Sequence, residues 1–282
     1  MNIIQPTFEI WTQEPGLLGM YKQIERAGRV CYKSENNATE DSAQPFVERM
    51  MKSKHTAMLE HGTVYLAGKG LDRYRTNKFS QVRTIDDTDY VTTNLRVLFE
   101  NGWMDDLQMF CEPTLHHATR ITVHFTTQIA ITREFNRHRA NSMAEQSTRY
   151  CNYSKDKFSG EITINQPTWI DELTDKQTTV ADFVALSAKV ADGSATEYEN
   201  WIFANMAAER SYMNLVAQGR KPQEARVVLP LDCNTELVHT AFVADWLHFF
   251  DLRALGTTGA PHPDAKVLAQ PLYEEFKRRG WV

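Results

Sequence analysis

The sequence predicts an α+β fold, because strand-like and helix-like patterns alternate irregularly and never settle into a repeating βαβ rhythm. No repeat, low-complexity tract or long Pro/Gly/Ser linker interrupts the 282 residues, so a single domain over 1–282 is expected. No Gly-rich dinucleotide fingerprint follows a strand, which argues against a Rossmann arrangement. A chain of this size hides about three quarters of its unfolded surface and can build its core without metal or disulfide staples.

Leu17, Met20, Tyr21, Ile24 and Ala27 recur at helical spacing after Pro15-Gly16 and predict the first helix. Ser42 can cap a second, with Phe46, Val47, Met50 and Met51 on its buried side. Alternation at Val64-Tyr65-Leu66 predicts a strand, and the polar stretch 68–89 reads as an excursion from the core. Tyr90 to Phe99 is β-branched and aromatic, the composition of another strand. In 120–126, Ile121, Val123 and Phe125 alternate with Thr122 and His124, as a half-buried strand requires. Residues 127–138 then wind into a helix through Ile129, Ala130, Ile131 and Phe135, which would put Glu134 and His138 on one face. A capping box at Ser194 to Glu197 heads a long helix running to Gly219. Its apolar face uses Tyr198, Trp201, Ile202, Asn205, Met206, Tyr212, Leu215 and Val216. Pro222 starts a short helix that 227–231 closes. Thr240 to Leu255 is the last predicted helix, carrying Trp246, Phe249, Phe250 and Leu252 and ending at Gly256.

Composition narrows the function. Lys and Arg number 31 against 36 Asp and Glu, a net charge of −5 that disfavours a protein coating nucleic acid in bulk. No run approaches 18 apolar residues, so no membrane span is expected. The N-terminal stretch carries Glu9 and Glu14 before its first basic side chain, Lys22, which does not fit a secretory signal. Cys31, Cys111, Cys151 and Cys233 are far apart and form no CxxC, so reduced thiols in a cytoplasmic protein are expected.

The densest polar cluster runs from Arg133 to Tyr150 and holds Arg133, Glu134, Arg137, His138, Arg139, Glu145 and Arg149. Guanidinium forks suit phosphate oxygens, and Ser142, Ser147 and Thr148 add neutral donors. The chemistry is that of a site for a phosphorylated, multiply hydrogen-bonding ligand such as a nucleotide; the alternative is a solvated arginine-rich helix end. Three further groups have ordinary explanations. His116, His117 and His124 lack a completing carboxylate or Cys at metal-ligand spacing. Cys151 has Arg149 and Lys155 nearby, yet a lone cysteine usually packs. Lys69, Arg73, Arg75, Lys78 and Arg83, with Tyr74 and Phe79, read as a solvated face or as a contact for nucleic acid or a folate tail.

Arg137-His138-Arg139, followed by Ser147 and Arg149-Tyr150, resembles the signature of the flavin-dependent thymidylate synthases. Three other segments fall in that family's order: His55-Thr-Ala-Met-Leu-Glu60-His61, Glu224-Ala-Arg226-Val-Val-Leu-Pro-Leu, and His248-Phe-Phe-Asp-Leu-Arg253. The resemblance implies a FAD enzyme that methylates dUMP to dTMP. Methylenetetrahydrofolate would donate the carbon, NADPH would reduce the flavin, and reduced flavin would supply hydride.

It further implies that His55, Arg137, His138, Arg139, Glu145 and His248 hold FAD. The dUMP would lie against Glu134, Phe135, Asn136 and Arg137, and against Glu145, Gln146, Ser147, Thr148 and Arg149, with Arg226 on its phosphate side. Arg253 would be the catalytic residue, facing the uracil and favouring ionisation at N3. No metal and no cysteine adduct is implied, and members are homotetramers whose sites combine residues of several subunits. Relative to the shortest members, 62–118 is a long insertion. Ala57, Phe242, Ala244 and Asp264 depart from residues common in the family, the first three around the flavin. Two rival readings remain: a nucleic-acid- or nucleotide-phosphate-binding protein using the arginine cluster, and a nucleotide hydrolase with a metal at the histidines.

Overall fold

Two antiparallel sheets organise the chain in a computed structural model that describes residues 1–170 and 180–282. In chain order the strands are β1 (Asn2–Ile4), β2 (Thr7–Trp11), β3 (Thr63–Gly68), β4 (Gln81–Ile85), β5 (Thr88–Asn94), β6 (Arg120–Gln128), β7 (Ser142–Glu145), β8 (Thr163–Asn165) and β9 (Asn234–Phe242). The helices are α1 (Gly16–Val30), α2 (Ala43–Lys52), α3 (Leu95–Asn101), α4 (Ile129–Phe135), α5 (Val180–Asp192), α6 (Glu197–Ala217), α7 (Pro222–Ala225), α8 (Val243–Phe250) and α9 (Pro263–Arg278). The expected α+β class is observed. Among the described residues, no helix is long and apolar enough to cross a membrane.

The central sheet has the order β2-β6-β9-β7, with every neighbour antiparallel. Alternation along its strands sorts side chains to two faces. Ile121, Val123, Phe125, Leu237 and Ala241 face α4, α8 and α9, where Phe135, Trp246, Phe249, Phe250, Leu272 and Phe276 complete an aromatic core. Trp11, Ala144 and Val238 face the other way, onto Ala27 and Val30 of α1. A second sheet, in the order β3-β5-β4, packs with α1, α2 and α3 around Met20, Ile24, Leu59, Leu66 and Leu98. Arg120 at the start of β6 ties the sheets together, donating to Thr63 Oγ1 at 3.2 Å and to the Glu60 carbonyl at 3.1 Å.

Several elements differ from expectation for identifiable reasons. Residues 68–89 are not an excursion: they include β4, and Leu71 and Tyr74 are fully buried in the second core. The strand expected over 90–99 stops at Asn94, whose side chain accepts from Val97 N and caps α3. Ser42 precedes α2 as expected but does not cap it, because its hydroxyl oxygen accepts from Thr39 N at 2.8 Å while its proton goes to Glu25 at 2.9 Å. The helix expected over 127–138 is confined to α4, so Glu134 and His138 share no helical face. The capping box of α6 is Thr196 with Glu199, two residues beyond the expected position.

The largest correction concerns 240–255. Thr240 belongs to β9, and the helix starts only at Val243. Strand β9 is covered on both faces, so its polar residues meet polar partners instead of water: Thr240 bonds His61 and Thr122, each at 2.9 Å. After Phe250 the chain makes one π-helical turn over Asp251–Leu255 and stops at Gly256, which has φ +69°. A Cβ at Gly256 would lie 2.8 Å from Pro261 and 2.9 Å from the Gly259 carbonyl, so glycine is required on two counts.

Helix α9 supplies a test of the core assignment. Phe276 is fully buried against Trp246, Phe250 and Trp281, whereas Val267 on the same helix is 45% exposed. Phe276→Ala should cost about 3–5 kcal/mol in urea denaturation, and Val267→Ala no more than about 0.5 kcal/mol. Equal effects would place the core elsewhere.

Candidate active site

Phe135 ends α4 by turning its ring into the core, 5.0 Å from Phe125 and 4.9 Å from Phe249. The backbone then makes a turn closed by Asn141 N donating to the His138 carbonyl at 3.1 Å. Arg137 and Arg139 are exposed on this segment, and His138 points inward. The π turn after α8 brings Arg253 against the same place. Its Nε donates to His138 Nε2 at 3.2 Å, one terminal nitrogen donates to the Glu134 carboxylate, and the other donates to the Glu134 carbonyl at 2.8 Å. Arg253 is therefore neither bare to water nor held by Asp251. π turns recur at functional sites because they re-aim a single side chain.

A guanidinium only donates, so His138 must accept through Nε2 and carry its proton on Nδ1. That Nδ1 is buried and has no partner among the described residues. Burial, then the charge of Arg253 and then His248, push the His138 pKa down to about 4. The exposed His248 meets the His138 ring edge-on at 5.6 Å. Two more neutral imidazoles are buried nearby, His239 on β9 and His61 at the end of the short helix Thr56–His61. Burial, followed by Arg120, holds His61 at about 3, and burial, with His138 and His61, holds His239 well below the ordinary histidine range.

Glu145, Gln146, Ser147, Thr148 and Arg226 gather in a groove of about 640 Å³ that also takes in Ile129 and Arg133 of α4. Arg133 and Arg226 supply its cations, Ser147 and Thr148 its neutral donors, and Glu145 and Gln146 its acceptors. Glu145 is pre-oriented, accepting from Thr132 Oγ1 at 2.7 Å and from Asn136 Nδ2 at 3.0 Å. Arg226 donates to Thr148 Oγ1 at 3.3 Å, and Arg149 to Gln223 Oε1 at 3.3 Å. Arg133 was in the sequence cluster but was not assigned to a ligand; its signal is the four-residue spacing from Ile129, which puts both on the groove face.

Not every expected residue joins these clusters. Phe135 is core, and His55 is exposed just before the short helix Thr56–His61. Lys69, Arg73 and Arg75 pair with Asp87, Asp106, and Asp72 with Asp89 respectively, which neutralises most of the basic run. His117 bonds the Leu66 carbonyl at 3.1 Å while His124 bonds Glu236 at 2.9 Å, so the two serve different neighbourhoods. Burial raises the thiols, Cys31 to about 11, Cys233 to about 12, and Cys151 upward despite Lys157. At neutral pH they are protonated and poor nucleophiles.

Fold and geometry together define an α+β protein with a clamped guanidinium and an arginine-lined groove suited to a phosphorylated ligand. The family model for thymidylate synthase complementing protein matches residues 18–100 and 108–279, and the chain belongs to that family. Among solved structures it is similar to a UMP/dUMP methylase, PolB, from Streptomyces cacaoi bound with 5-Br dUMP, at 16% identity over 98% of this chain and 93% of that one, with a TM-score of 0.43. The same methylase with 5-Br UMP aligns at 16% identity over 99% and 92%, with a TM-score of 0.44. A search of curated proteins returned no match.

The buried imidazoles make a testable electrostatic statement. An unfolded histidine binds a proton near pH 6.5, whereas folded His138 does so only near 4 and His61 near 3. The unfolded chain thus binds more protons below 6.5, and the stability these groups contribute, complete above that pH, is lost as pH falls toward 4 and 3. Histidine-labelled NMR at pH 5 should show His61, His138 and His239 still neutral; a charged His138 ring at that pH would contradict the assignment.

Proposed function

We propose that this protein methylates dUMP to dTMP, with methylenetetrahydrofolate as carbon donor and FAD, reduced by NADPH, as hydride source. Membership of the thymidylate synthase complementing protein family supports the reaction class. The observation that carries the reading is the arrangement around Arg253: a guanidinium clamped by Glu134 and His138 beside a turn that presents two further guanidiniums.

The donor set fits FAD. Arg137 and Arg139 make no ion pair among the described residues, and His138 Nδ1 is a buried donor without a partner. A flavin diphosphate needs fixed cations and directed N–H groups, and these residues, with His248 beside them, would hold it. When bound, FAD supplies the hydride that completes the methyl group. In the groove, Arg133 and Arg226 with Ser147 and Thr148 would bind the nucleotide phosphate, and oriented Glu145 would accept from the nucleoside. Among the described residues, three of the five Arg253 N–H groups are used, which leaves one on each terminal nitrogen for the uracil edge. Negative charge over N3 and O4 makes C5 a better nucleophile, and a cation already fixed in place stabilises it without reorganisation. His55 and the two clusters would combine across subunits of a homotetramer; the exposed Val227 and Leu231 beside the groove suit such burial.

Visible absorption tests the reading. The purified protein should take up stoichiometric FAD, bleach with NADPH, and form dTMP once dUMP and methylenetetrahydrofolate are added. Arg253→Lys should fold, bind FAD and allow its reduction, yet form dTMP about a hundred- to a thousand-fold more slowly, the loss of about 2.7–4 kcal/mol typical of a preorganised donor. Wild-type rates in Arg253→Lys would remove Arg253 from the chemistry, and absence of flavin uptake would overturn the reaction.

A further inference from the structure

The turn that carries Arg139 is held at both feet. At its first residue, His138 is bonded to Arg253 at 3.2 Å. At its last, Asn141 Nδ2 donates to Nε2 of His239 on β9 at 2.5 Å. Arg139 and Ala140 stand exposed at the apex between them.

His239 is itself tightly packed. It is fully buried, its ring centroid is 4.3 Å from that of Trp246, and Phe249 meets it edge-on at 5.5 Å. Its neighbours on the same face of β9 are Leu237 and Ala241, both apolar and in the aromatic core. A histidine in such a layer is costly unless its polar atoms are bonded, and His239 Nδ1 has no partner among the described residues. A phenylalanine would fill the layer without that penalty. Among the described residues, the ring's bond to Asn141 is the one hydrogen bond that sets it apart from an apolar residue.

We propose that His239 is a positioning residue for cofactor binding: by accepting from Asn141 it anchors the turn to the central strand and presets the Arg139 guanidinium for the ligand. The proposal rests on the FAD reading above. A turn fixed before binding loses less conformational entropy on binding, and immobilising one rotamer-rich side chain accounts for about ten-fold in affinity. Burial keeps the His239 ring neutral, so its accepting lone pair persists at neutral pH.

FAD is titrated by flavin fluorescence into the full-length wild-type protein, His239→Phe, Asn141→Ala and the double variant, and dUMP is titrated into each by calorimetry. Each single variant should bind FAD about ten-fold more weakly, the double variant no more weakly than either, and dUMP affinity should stay unchanged. His239→Gln, whose amide carbonyl can accept from Asn141, should restore FAD affinity. If His239→Phe does not fold, the half-buried Asn141→Ala carries the test. Wild-type FAD affinity in Asn141→Ala, additive losses in the double variant, or a parallel loss of dUMP affinity would overturn the positioning role. Failure of the wild-type protein to bind FAD would instead overturn the reading beneath it.

Discussion

The contact of Arg253 with Glu134 and His138 joins residues more than a hundred positions apart, and the central sheet exists in a form that permits it. Strands β6 and β9 pair antiparallel over nine residues each, about 30 Å. Helix α4 leaves one end of that pair and α8 the other, and both fold over the same face. Seven helical residues cover about 10 Å, and α8 with its π turn about 20 Å, so the two helices meet over the sheet. Phe135 and Phe249 mark the junction at 4.9 Å. The guanidinium closes it on the outer side.

That geometry imposes an electrostatic rule on its surroundings. Arg253 demands an acceptor, so His138 must be neutral, and burial beside a cation makes it so. The same rule extends inward to His239 and His61, whose rings serve as hydrogen-bonding partners and not as charges. Buried thiols follow a parallel logic: desolvation keeps them protonated. Among the described residues, the fixed charges facing solvent at the site are guanidiniums and carboxylates, which can bind and polarise a nucleotide without forming a covalent bond to it.

The site was more legible in the sequence than the scaffold. Arg133, Arg137, Arg139, Glu145, Ser147 and Thr148 of the candidate site lie in one run of charge and hydroxyls, conspicuous against an otherwise ordinary composition. Arg253 stood out only through a resemblance, since nothing local distinguishes it from any helix-end arginine. Strand β9 escaped because its polar residues Glu236, His239 and Thr240 are buried in hydrogen bonds, which erases the alternation that marks a half-exposed strand. Helix α9 was not anticipated, although Ala265, Leu268, Leu272 and Phe276 keep helical spacing, since Pro271 sits within it. The pairing of Asn141 with His239 spans 98 residues, and no spacing rule reaches that far.

If cations and a hydride-bearing cofactor do this work without an enzyme thiol, the electron balance must show in the carbon donor. A methylene group needs two electrons to become a methyl group. When reduced flavin provides them, the folate leaves as tetrahydrofolate; when the folate provides them, it leaves as dihydrofolate. Chromatography of the folate product after dUMP turnover with NADPH and FAD should yield tetrahydrofolate in step with dTMP, and dihydrofolate as the matching product would contradict the account.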